Sequence, residues 1–331
     1  MPKFGIEFVP TDAYWKVVYH AVQAEKAGYD YVWITDHFNN RNVYVLLTNI
    51  AIYTNKIKFG PGVTNPYMIH PIMTAQSMAS LNEMAPGRVV CGLGTGDKTT
   101  LDMVGIERVK PLTAVKEAVQ LIKEITTGKT VKFEGEVFKV AGARLNFKAI
   151  TPIPIFIGAQ GPKMLSLAAE IGDGVLINAS NRKDFEDAMK YIKEGVEKAG
   201  KKLEDVEVVA ATSFSASEDV KKAQKAATPV VAFIVAGSPE LVLQRHNIPI
   251  ESADKIREAI AKGMWKDVFS NVTPEMIEAF SISGTPDMCI EKLDQLAKIG
   301  VTLLITGSPI GPNVRDSINL IRKEIIPRLK K

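Results

Sequence analysis

Short runs of β-branched and aromatic residues alternate with segments of helical period along the whole chain, and this alternation restricts the fold more than any other feature. Strands are expected at 4–9, 29–37, 57–63, 88–96, 153–159, 174–178, 206–214 and 302–308. Helical segments lie between them. DAYWKVVYHAVQAEKAG offers Asp12 as a cap and stops at Gly28, and HPIMTAQSMASLNEMAPG stops at Pro86-Gly87. TPDMCIEKLDQLAKIG offers Thr285 as N-cap, Pro286 at the first helical position and Gly300 at the end. Eight strands, each followed by a helix, are the count of a (β/α)8 TIM barrel, an α/β fold. An open doubly wound sheet would carry a glycine-rich phosphate loop after its first strand, and GIEFVPTD has none.

A length of 331 residues suits one barrel domain spanning 1–331 with additions. Between strands four and five, VKFEGEVFKVAGARLNF alternates like a small hairpin. Between strands seven and eight, an inserted helical segment is expected at about 237–282. The net charge of +4 is mild, and lysine alternates with glutamate along helix faces such as KYIKEGVEKAGKKLEDVE. This is solvated surface and not a nucleic-acid stripe. Cys91 and Cys289 fit neither a metal spacing nor a disulfide framework. The four histidines are scattered, so no metal is expected. No apolar run is long enough to span a bilayer. MPKFGIEFVP enters a strand directly, and a cytoplasmic protein is expected.

In such a barrel the chemistry sits at the C-terminal ends of the strands. Strand one carries Glu7 between Ile6 and Phe8, which face the other side. Strand two ends in Asp36 and His37, strand four in GTGD with Asp97, strand five in GAQGP, and strand six at Asn178. Carboxylates gathered at neighbouring strand ends are what acid–base catalysis requires, with burial setting their pKa values apart. Each also has a structural reading. Glu7 could accept from hydroxyls in the barrel, Asp36 and Asp97 could cap helices, and His37 could be packed. The turn of FIGAQGPKML offers backbone N–H groups to an anion, or is an ordinary strand–helix turn capped by Gly161. GLGTGDKT departs from a phosphate loop because Asp97 stands where glycine is needed before the lysine.

GIEF, YDYVWITDHF, GPGVTNPY, MASLNEMAPGRVVCGLGTGD and PIFIGAQGPKMLSLAAEIGDGVLIN together resemble the bacterial luciferase-like barrel superfamily over nearly the whole chain. Within it the sequence is most similar to the coenzyme F420-dependent methylenetetrahydromethanopterin reductases of methanogenic archaea. The resemblance implies reversible hydride transfer between F420 and the pterin, with F420 as cosubstrate and neither flavin nor metal bound. It implies that Glu7 and Asp97 are the substrate-side carboxylates. It places Asp36 and His37 near the deazaflavin ring, and Gly94, Thr95 and Gly96 along its side chain. Ala159, Gln160 and Gly161 would lie at its phosphate, with Asn178 nearby. It also implies a non-proline cis peptide at Gly62–Val63, followed by Thr64, as a backstop for the ring. This would account for a third strand, KFGPGVTNPY, that is broken by Pro61, Gly62, Asn65 and Pro66. A homodimer or homotetramer is implied as well. Rival readings are an FMN-dependent monooxygenase, an F420-dependent alcohol or sugar-phosphate dehydrogenase, and a non-catalytic flavin-binding barrel subunit.

Overall fold

The computed structural model describes residues 1–330. Its strands are β1 (Lys3–Phe8), β2 (Tyr31–Ile34), β3 (Lys58–Pro61), β4 (Cys91–Leu93), β5 (Val131–Glu134) and β6 (Lys139–Ala143). They continue with β7 (Ile155–Gly158), β8 (Gly174–Asn178), β9 (Glu207–Ala216), β10 (Ile282–Gly284) and β11 (Leu303–Ile310). The main sheet runs β3-β2-β1-β11-β9-β8-β7-β4, and every pairing described in it is parallel. Isolated bridges Phe59↔Val89 and Thr64↔Leu93 join the two ends of that order. This is the eight-stranded barrel that the alternation predicts. Its strands are buried on both faces, which is why they read as continuous apolar runs.

The chain groups into two compact units whose boundaries fall after Phe4 in β1, before Asn178 at the end of β8, and after Val209 in β9. The unit built from Gly5–Ile177 and Ala188–Val209 holds α1 (Tyr14–Lys26), α2 (Val43–Tyr53), α3 (Pro71–Met84), α4 (Lys98–Met103), α5 (Pro111–Ile125) and α6 (Pro162–Ile171). Several helix starts follow from local sequence. Asn42 Oδ1 accepts from the amides of Tyr44 and Val45, and Pro71 and Pro162 begin their helices where no amide is needed. Asp12, by contrast, caps nothing: α1 is preceded by Ala13, and Asp12 pairs with Lys16 at 2.8 Å. The expected hairpin is β5–β6, an antiparallel pair.

The second unit begins with α7 (Arg182–Lys198), whose later part belongs to the first. It continues with α8 (Val220–Gly237), α9 (Glu240–Arg245), α10 (Ile250–Ala261), α11 (Trp265–Ser270), α12 (Pro274–Phe280), α13 (Pro286–Lys298) and α14 (Val314–Leu320). The helices α9–α12 occupy the stretch where inserted helices are expected. They bury a core of their own in which Leu243, Ile256, Val268, Met276 and Phe280 pack with Val231 and Val235 of α8. Thr285 caps α13 through Met288 N, as its sequence indicates. The strand β10, which pairs with the end of β9, is not foreseen by the sequence pattern.

Candidate active site at the strand ends

Register places Glu7 of β1 beside Trp33 of β2, and Trp33 beside Gly60 of β3. Neighbours in one row of a sheet point to the same face. Ile6 and Phe8 face the opposite side and are buried. Tyr31 shares the Trp33 face and stacks on it at 6.0 Å, while Phe156 of β7 meets Trp33 edge-on at 5.3 Å. Glu7 therefore stands next to an aromatic floor. Its carboxyl is half-buried and has no hydrogen-bond or ionic partner among the described residues. Burial alone pushes it up to about 7. A carboxyl at that value can hold or release a proton near neutral pH.

At the end of β3, the peptide Gly62–Val63 is cis. The segment is bonded on both sides: Gly62 N donates to Ile34 O at 2.8 Å, Thr64 N to Gly92 O at 3.0 Å, and Gly94 N to Thr64 O at 2.8 Å. Neighbouring strands make room for it. A Cβ on Gly92 would lie 2.1 Å from Pro61 O, and one on Gly94 would lie 2.7 Å from Val63 Cγ2. Gly92 and Gly94 of GLGTG thus admit the Val63 side chain, and no phosphate is needed to explain them. Beyond it, Asn65 Oδ1 accepts from Tyr67 N and Met68 N, which turns the chain toward α3.

Burial raises the Asp36 carboxyl, while the adjacent Thr64 hydroxyl and His37 pull it back. Thr64 Oγ1 is fully buried yet stops short of hydrogen-bond geometry with any partner. Asp97 is exposed and caps α4, its Oδ2 accepting from Thr100 N at 2.7 Å and Thr100 Oγ1 at 2.8 Å. Thr95 and Gly96 are half-buried, and Gly96 O accepts from Arg108 Nη1 at 3.2 Å. The turn after β7 is narrower as an anion site than its sequence suggests. The Ala159 amide is already given to Leu176 O at 2.9 Å, which leaves the amides of Gln160 and Gly161 beside the start of α6. In the second unit, Asn178 closes β8 and is exposed, and nearby Ser180 Oγ accepts from Ser213 N at 3.0 Å.

The sequence reading overlooks Trp33, whose Nε1 is buried without a partner, and the buried, unpartnered hydroxyls of Ser213 and Ser215 on β9. The signal for Trp33 is the two-residue spacing from Tyr31 in a strand next to Glu7. The serines carry no comparable mark in TSFSA. Among the described residues no group of three or more His, Cys, Asp or Glu side chains could hold a metal ion, and no helix is long and apolar enough to cross a membrane.

The family model for luciferase-like monooxygenases matches residues 7–303. The 5,10-methylenetetrahydromethanopterin reductase of Archaeoglobus fulgidus is 54% identical over 99% of this chain and 100% of its own length. The enzyme of the same name from Methanolobus tindarius is 51% identical over 98% of this chain and 99% of its own. The solved structure of the coenzyme F420-dependent tetrahydromethanopterin reductase from Methanopyrus kandleri superposes with a TM-score of 0.94 at 43% identity, covering 99% of both chains. The chain belongs to the luciferase-like monooxygenase family and, within it, to the group that holds these methylenetetrahydromethanopterin reductases.

Proposed function

We infer that this protein reversibly transfers a hydride from reduced coenzyme F420 to 5,10-methylenetetrahydromethanopterin, giving 5-methyltetrahydromethanopterin. The observation that carries the reading is identity of 44–54% over nearly the whole chain to relatives that share one enzyme name. The site suits a flat, carbonyl-bearing heteroaromatic ring: the Gly62–Val63 bulge offers a half-buried backstop, and the orphaned Thr64 hydroxyl beside Asp36 offers a hydrogen bond. On this reading Gly62, Val63 and Thr64 support the ring with Asp36 and His37 at its edge. Gly94, Thr95 and Gly96 flank the side chain, while Gln160 and Gly161 give amides to the phosphate, with Ala159 shaping that turn and Asn178 close to it. When bound, the cofactor supplies the hydride.

The protein's own contribution is proton control. Glu7, held neutral by burial up to about pH 7, donates a proton to the pterin nitrogen that leaves as the methylene bridge opens to an iminium. Asp97 keeps Oδ1 free of partners for the substrate side while its Oδ2 holds the first turn of α4. The same reading includes a cytoplasmic enzyme and a homo-oligomer. α2 carries no charged residue, and Val45, Ile52, Tyr53, Met73 and Met84 expose apolar surface on α2 and α3, where a second copy would pack. Anaerobic spectrophotometry of the purified protein tests the function. F420 reduction driven by methyltetrahydromethanopterin is expected. Tight FMN binding with oxygen consumption, or F420 reduction by a secondary alcohol or glucose 6-phosphate instead, would overturn it. Sedimentation of wild type against Ile52→Asp tests the assembly.

A further inference from the structure

Three buried hydroxyls meet in the first unit, and none of them is hydrogen-bonded. They are Tyr44 OH at the start of α2, Thr64 Oγ1 just past the Gly62–Val63 bulge, and Thr74 Oγ1 near the start of α3. The Thr64 and Thr74 hydroxyls both lie beside the Tyr44 phenol, and the Thr64 hydroxyl also lies beside the Asp36 carboxyl. Their backbones are already committed. Tyr44 N donates to Asn42 Oδ1 at 3.0 Å, Thr64 N to Gly92 O at 3.0 Å and Thr74 N to His70 O at 3.2 Å. Thr74 is the informative member. A helical hydroxyl ordinarily donates to the carbonyl four residues back, as Thr48 does to Tyr44 O at 2.8 Å and Ser80 to Gln76 O at 2.9 Å. Thr74 forgoes that bond although it is fully buried. Buried hydroxyls left unbonded are costly, so an unfinished buried network points to something that completes it.

The chemistry of the four groups gives the chain one direction. An ionised carboxylate can only accept, so Asp36 takes the Thr64 hydrogen. Thr64 then keeps lone pairs for the Tyr44 phenol, and Tyr44 keeps them for Thr74. Burial pushes the phenol up and the two threonines pull it partly back, so Tyr44 retains its hydrogen and stays a donor. Two further titratable groups reach this set. His37 lies beside Asp36, and the buried Cys91 thiol is itself pushed up to about 12 and stays neutral. The three hydroxyls are shut off from solvent, whereas Asp36 is half-buried and open to the strand ends. We propose that Tyr44 is a positioning residue: the run Thr74–Tyr44–Thr64 closes when a ligand engages Asp36, and then holds that carboxylate fixed at the edge of the ligand's ring. This rests on the reductase reading and on the placing of Asp36 at the deazaflavin edge.

The test is a double-mutant cycle on F420 affinity, read as Kd by fluorescence quenching. Tyr44→Phe keeps the ring and cuts the chain, and it should weaken binding about fivefold in the wild-type background. In the Asp36→Ala background the same substitution should change Kd by a factor of about one. A merely structural phenol would cost the same factor in both backgrounds. Thr74→Val should weaken binding to a smaller extent, and Thr74→Ser, which keeps the hydroxyl, should bind as wild type does. Circular dichroism checks that each variant is folded, and the Thr74 pair carries the test if Tyr44→Phe is not. A crystal structure with F420 bound should show the three hydroxyls in one hydrogen-bonded run that ends on Asp36. An unchanged Kd in Tyr44→Phe, a loss that persists with Asp36→Ala, or hydroxyls still apart in the bound structure would overturn the chain and leave the reductase reading intact. Failure of wild type to bind F420 would overturn both.

Discussion

Glu7 and Glu25 are both half-buried in the same unit, and their carboxyls are shifted in opposite directions. Burial pushes up both. At Glu7 nothing opposes it. At Glu25, near the end of α1, the amides of Asn55, Lys56 and Ile57 donate to the carboxylate at 2.7–2.9 Å, and the Arg88 guanidinium adds its charge. Together they outweigh burial and hold Glu25 below the usual carboxylate range. Glu25 is a staple that ties the chain entering β3 to α1. Glu7 is an acid left without partners at a strand end, an arrangement that costs stability and would let it supply a proton in the proposed reaction. A glutamate's role here is set by how deeply its carboxyl is buried and by how many donors reach it, and both separate the two.

The comparison breaks most sharply on turnover. Glu7→Gln keeps the shape and removes the titrating proton, and steady-state assays should show a loss of roughly 10²–10⁴-fold with cofactor affinity retained. Near-normal turnover would sink the proton-donor role. Glu25→Ala should do the reverse. It leaves three backbone amides without their acceptor, and because two of them are exposed and can turn to water, denaturant unfolding should show a loss of about 1 kcal/mol while kcat is unchanged.

Their pH dependences should also run in opposite directions. Glu7 binds its proton more tightly when folded, so stability falls as pH rises from the ordinary carboxylate value of 4.5 to about 7 and is flat above that. The full difference is at most ~3 kcal/mol, and Glu7→Gln should flatten this limb of a Tm–pH profile. Catalysis by the protonated form should decline above about pH 7 in the same enzyme. Glu25 binds its proton more weakly when folded, so the stability it contributes is present above the ordinary carboxylate pKa and is lost as pH falls through the folded value. Glu25→Ala should remove that acid-side loss.

Two smaller effects concern the neighbouring strand ends. Gly94→Ala places a methyl 2.7 Å from Val63 Cγ2, and the overpacking should cost about 1–3 kcal/mol and loosen cofactor binding, measured by unfolding and by Kd. At Asp97, the Ala variant should lose about 1 kcal/mol of stability with the α4 cap, whereas Asn keeps the cap. If Asp97→Asn also keeps full turnover, the residue serves α4 alone and its substrate-side role is removed.

Much of the barrel was legible because its signals are local. Alternating periods gave the eight strands, Thr285-Pro286 and Gly161-Pro162 announced their helices, and KFGPGVTNPY betrayed an irregular strand end by its prolines and glycines. Asp12 misled for the same local reason. A residue of cap type stood at a cap-like position, but the chain entered α1 one residue later and left Asp12 to pair with Lys16. Ala159 misled because the partner of its amide, Leu176 O, comes from the next strand.

The sequence by itself determined the class of fold, the order of its strands and the residues that reach the strand ends, since period and punctuation are written in consecutive residues. Only the tertiary structure decided which carboxyls have partners. Nothing in the neighbouring residues of Glu25 announces its staple, because the amides it accepts from lie some thirty residues beyond it, at Asn55–Ile57. Likewise Gly92 and Gly94 resemble part of a phosphate loop until β3 is laid beside β4 and Val63 fills the space they leave. Desolvation, hydrogen-bond supply and steric room depend on what the fold brings from elsewhere in the chain, and those are the quantities that set the chemistry of this site.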